Sequence, residues 1–176
     1  MSKAALHKEL LTFTNDQLVE VILSAYSSSK EAKAYFEFFL NPDVEALFDK
    51  NSDIIAKELN RVKWGRCKGR ISVIRAAIRD FEAYGVGADA TGRLMLAAIR
   101  MLAGQNRWYS YPETLHKGCL KLVADYISLA DRNGFASEAA DNIRCLAADS
   151  ERSSAFMRGQ IQLALDRAIA DIANKG

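Results

Sequence analysis

Arg61, Lys63, Arg66, Lys68, Arg70, Arg75 and Arg79 fall within residues 61–79, and no acid lies among them. Trp64 sits between the first of these cations. Cations at this density can neutralise phosphate oxygens, and an indole can stack on a base. These eight residues are therefore a candidate polyanion-binding surface. The chain as a whole carries only +2, and residues 1–60 hold six basic and ten acidic residues, so the basic excess is local. The same segment has a plainer reading. It is a solvated loop, or it docks on acidic residues 1–60 of its own chain or of a second copy.

Other spacings suggest chemistry without completing it. Glu113 and His116 share a helical face, which is half of a di-metal carboxylate site. The only other histidine is His7, and Ala4 stands where its Glu would have to be, so no metal is expected. Glu113 reads instead as a first-turn carboxylate that complements the helix dipole. Asp49 and Asp53 read as an exposed acidic face. Trp108, Tyr109 and Tyr111 form an aromatic connector that could wall a cleft, or plug the end of a helical bundle. Cys119 and Cys145 lie in apolar helical patterns and read as buried thiols, and the basic neighbours of Cys67 could make it reactive. The chain contains no G-x-S-x-G, no H-E-x-x-H and no Walker lysine pattern. Gly85-Val86-Gly87 reads as a helix stop. No catalytic residue and no cofactor is assigned.

The elements that must position these residues are helices. With 49% apolar residues and two prolines, the chain can fill a core with long helices. Thr14-Asn15-Asp16-Gln17 is a capping box, and the helix after it should bury Leu18, Val21, Ile22, Ala25 and Tyr26. Ser27-Ser28-Ser29 and Asn41-Pro42-Asp43 bound the next helix. A third helix carries Val44, Leu47, Phe48, Ile54, Ile55 and Leu59. Residues 61–70 break the apolar period and read as a loop. Helix four presents Ile71, Ile74, Ile78 and Phe81 on one face, with Arg75 and Arg79 reaching solvent together beside it. Helix five stops near Gly104, helix six ends at Asn133-Gly134, helix seven holds Ile143 and Leu146, and helix eight starts from Ser150 or Ser153. The expectation is an all-α chain of about eight helices and no sheet: a single-domain bundle or a short array of antiparallel helical hairpins over 1–176, with 150–176 a possible appended helix. No apolar run could span a membrane and no leader pattern opens the chain, which points to the cytoplasm.

The run Leu6…Thr14-Asn15-Asp16-Gln17-Leu18…Ala25-Tyr26, then Tyr35-Phe36-Glu37-Phe38-Phe39-Leu40-Asn41-Pro42-Asp43, carries a resemblance. So do Ile74-Arg75-Ala76-Ala77-Ile78-Arg79-Asp80-Phe81 and Leu94-Met95-Leu96. Over residues 5–148 this order resembles a family of small bacterial proteins catalogued only as a domain of unknown function. The resemblance implies an all-helical cytoplasmic protein and supplies no catalytic residue. The first functional expectation is a non-enzymatic interaction module whose partner is another protein or a second copy. Nucleic-acid binding through residues 61–79 comes second, and an enzyme with an unrecognised cleft third. A small-molecule ligand stays unassigned.

Overall fold

The Thr14 side chain accepts from the backbone N–H of Gln17 while the Gln17 side chain accepts from that of Thr14, so the expected capping box starts a helix. The computed structural model describes residues 2–108, 112–149, 151 and 153–174. It divides into two compact units, Met1–Asp43 and Val44–Gly176.

The first unit holds α1 (Lys3–Leu10), α2 (Asn15–Ser28) and α3 (Lys30–Leu40). Ser29 closes α2 and caps α3 by accepting from Ala32 N–H at 3.2 Å, so these two helices form a hairpin. Helix α1, capped by Ser2, is an addition to the expected eight. Its eight residues carry no apolar stripe that would announce it. The burial expected of α2 is not found: Val21 and Ile22 are 43% and 45% exposed, and none of the three helices contains a buried residue. A hairpin and one short helix offer each stripe too little partner surface to exclude water.

The second unit runs α4 (Val44–Leu59), β1 (Val62–Lys63), β2 (Arg66–Cys67), α5 (Ile71–Ala83), α6 (Ala88–Trp108), α7 (Glu113–Arg132), α8 (Ala136–Ala148) and α9 (Ala155–Ala173). Helix α6 packs on α4, α5 and α7, and α7 packs on α8 and α9. The core is mostly apolar: Leu94, Ile99 and Leu102 of α6, Leu115, Cys119 and Val123 of α7, and Ile161 and Leu165 of α9 are wholly buried. Burial pushes the Cys119 thiol up to about 12, so it stays a neutral packing group. Cys145, in contrast, is exposed. It lies two residues beyond buried Ile143, about 200° around the helix, and so on the opposite face.

Two boundaries also shift. Helix α6 passes through Gly104 to Trp108, and α9 starts from Ser154, which accepts from Met157 N–H at 3.2 Å. Ser150 lies outside the described residues. So do Tyr109, Tyr111 and the side chain of Trp108, the aromatic connector.

Gly118 lets α7 approach the start of α5. A Cβ at this position would overlap the Ile71 side chain. Mid-helix glycine costs about 1 kcal/mol against alanine, so the close approach must matter more than that. Gly118→Ala should lose about 1–2 kcal/mol net, read as a lower urea midpoint, because overpacking outweighs the gain in propensity.

Candidate functional site

The basic segment is built as a hairpin on top of a buried carboxylate. Along α4, Leu47, Asn51, Ile55 and Glu58 are buried at spacings of four, four and three. Glu58, only 7% exposed, thus occupies a core position with a charged side chain. Its Oε1 accepts from Arg61 Nη1 at 2.9 Å, from Arg70 Nε at 3.0 Å and from the Arg70 backbone N–H at 2.9 Å. Burial alone would raise the Glu58 carboxyl. The hydrogen bonds from Arg70 and Arg61 outweigh it and hold the group below the usual carboxylate range. Glu58 therefore clamps both ends of residues 61–70.

Between those ends the chain is not a loop, as the lack of an apolar period suggested, but a two-stranded antiparallel ribbon. Val62 pairs with Cys67 and Lys63 with Arg66. Strand alternation places Val62 and Cys67 on one face and Lys63 and Arg66 on the other. Cys67 is fully buried and its Sγ donates to Leu59 O at 3.4 Å, so it anchors the ribbon and is not the reactive thiol its basic neighbours suggested. Too short to show alternation in the sequence, the ribbon follows from its turn and its anchor.

The turn is Trp64-Gly65, with φ of 57° and 67°. Two positive φ values in a two-residue connection are the signature of a type I′ turn, whose twist matches a hairpin. Glycine takes this conformation freely at Gly65. Trp64 does not, and a left-handed L residue costs roughly 1–2 kcal/mol. Its indole is 88% exposed, with Lys63 Nζ 5.9 Å from the ring centroid. Lys63, Trp64, Arg66 and Lys68 line a shallow depression of about 530 Å³. Such a lining offers three cations and one exposed aromatic face.

Residues 1–158 match the Family of unknown function (DUF6155). The chain belongs to that family. No curated protein and no solved structure matches it. In this DUF6155 protein the match takes in the hairpin and its Glu58 clamp and ends in the first turn of α9.

The seven cations of residues 61–79 and Trp64 are thus separated by the fold. Arg61 and Arg70 are held by Glu58. Arg75, expected in solvent beside Arg79, is half-buried, and its Nη2 lies 2.7 Å from Asp125 Oδ2 on α7. Arg79 is exposed and, with Arg75 and Arg132, lines another depression of about 250 Å³ between α5, α6 and α7. Lys63, Trp64, Arg66 and Lys68 come together at the hairpin tip. Glu58 was missed as their organiser. Its signal was a charge on the buried stripe of α4, three residues before Arg61.

The remaining candidates are accounted for locally. Glu113 pairs with Lys117 at 2.7 Å, which lowers its carboxyl, and the His116 ring stacks on Phe156 at 5.4 Å. Asp49 and Asp53 are exposed, and Asp53 lies 4.0 Å from Lys57. Among the described residues, no three His, Cys, Asp or Glu side chains group to hold a metal, and no helix is long and apolar enough to cross a membrane.

Proposed function

We propose that this DUF6155 protein is a binding module that engages a polyanion through its basic hairpin. The observation that supports this reading is the cluster at the tip. Lys63, Arg66 and Lys68 form no ion pair among the described residues, although carboxylates hold Arg61, Arg70 and Arg75. Cations left without counter-charges on a pinned scaffold are placed for an external anion, since their positions are set before binding. The sequence as a whole put an interaction module with a protein partner or a second copy first and nucleic-acid binding second. The exposed cluster moves the weight to a polyanion.

The test is fluorescence anisotropy of fluorescein-labelled heparin over a salt series. Three contacting cations predict a plot of log affinity against log salt with a slope of roughly −2 to −3. Lys63→Glu/Arg66→Glu/Lys68→Glu should weaken binding at least about tenfold, while Arg79→Glu should leave it within about twofold. The absence of binding at low salt, or equal losses in the two variants, sinks the reading.

A further inference from the structure

A tryptophan is held in a left-handed turn at the outermost point of the hairpin, 88% exposed, where Asn or Gly would make the same turn without strain. A large apolar ring in a strained and solvated position is an outlier that the fold itself does not need. The exposed contact of Lys63 Nζ with the ring contributes no more than the left-handed turn costs, so hairpin stability does not call for an indole here. A ligand with a flat aromatic face does.

We infer that the partner is a single-stranded nucleic acid, with one base stacked on the Trp64 indole and the flanking phosphates on Lys63, Arg66 and Lys68. This inference rests on the polyanion reading above and names its partner. Heparin and polyphosphate offer anions but no planar ring to cover the indole, and an acidic peptide offers one only where an aromatic residue falls among its carboxylates. A duplex keeps its base faces inside the stack, whereas a single strand exposes both anions and rings at one-nucleotide spacing. The competing partner for an exposed Trp among cations is an anionic membrane. Insertion favours several apolar side chains at a tip, and here the Trp64-Gly65 turn is flanked directly by Lys63 and Arg66, with Val62 set back toward the base of the ribbon.

Trp64→Asn provides the decisive variant, because Asn-Gly is the favoured type I′ pair and the turn survives without its ring. The probes are a labelled oligothymidylate of about 12 nucleotides, its duplex with oligoadenylate, labelled heparin, and phosphatidylserine vesicles. The full chain should bind the single strand more tightly than the duplex. Trp64→Asn should weaken single-strand binding roughly 5- to 150-fold, the range for one lost base stack, and Trp64→Phe should fall between. Heparin binding should change less than about twofold in both variants. A thermal melt of Trp64→Asn at or above that of the parent shows that the fold is intact. Equal effects on heparin and single strand, or none on either, overturn the stacking inference and leave the polyanion reading standing. Vesicle binding that depends on Trp64, with no single-strand binding, overturns it in favour of a membrane. Failure to bind either heparin or single strand removes both.

Discussion

Phe81→Ala is expected to destabilise the second unit by about 3–5 kcal/mol, the largest effect of any single truncation proposed for this protein. Phe81 is wholly buried on α5, and its ring meets that of Phe48 on α4 edge-to-face at 6.2 Å and 77°. Arg93 of α6 covers the Phe48 ring at 5.2 Å and pairs with Glu45 at 2.7 Å. Three helices therefore converge on this aromatic pair. Truncation removes the ring's burial, loses the edge-to-face contact and leaves a cavity that rigid neighbours cannot close. Phe81→Leu keeps most of the volume and should lose less than half as much. Urea unfolding followed by circular dichroism measures both. Equal, small losses in the two variants would mean that the α4–α5–α6 junction collapses around the gap and is not the rigid frame of the hairpin.

Glu58→Ala should cost about 1–3 kcal/mol, because it strands the Arg70 backbone N–H and releases two guanidinium groups together. Its sign on binding is more informative. Removing an acid beside a cationic hairpin raises local positive charge, so electrostatics alone predicts tighter heparin binding. If the clamp sets the hairpin's position, binding weakens severalfold instead, since only the ordered fraction binds. Weaker binding is the expected result; tighter binding would show that the clamp contributes nothing to the site. The pH dependence follows from the depressed carboxyl. A group whose folded pKa lies below its unfolded value adds stability above the unfolded value, here near 4.5, and loses it as pH falls through the folded value. The stability gap between the parent and Glu58→Gln should therefore be full at neutral pH and shrink below about pH 4.5.

Helix α5 shows what periodicity can determine. Ile74, Ile78 and Phe81 recur at helical spacing, and all three are buried in one face. The caps at Thr14 and Ser29 were equally legible, because a cap is a contact between residues three apart. So was the concentration of cations in 61–79, which is a matter of composition. The sequence by itself thus determined helical content, most helix starts and the place where positive charge accumulates. These are local properties, set by neighbours within a turn or two.

Tertiary structure alone decided which cations are free. Arg75 looked solvent-facing on its own helix, and only the packing of α7 brings Asp125 to it across fifty residues of chain. Arg70 meets Glu58 twelve residues back, after a ribbon of two residues per strand whose pattern is too brief to read. The exposure of the α2 stripe likewise depends on which neighbours arrive, not on the stripe itself, whereas that of Cys145 follows from its place two residues beyond Ile143. Charge pairing and burial are properties of pairs distant in sequence, so they become definite only when the fold brings the partners together. At the hairpin this divides the cations held by carboxylates, Arg61 and Arg70, from Lys63, Arg66 and Lys68 at the tip.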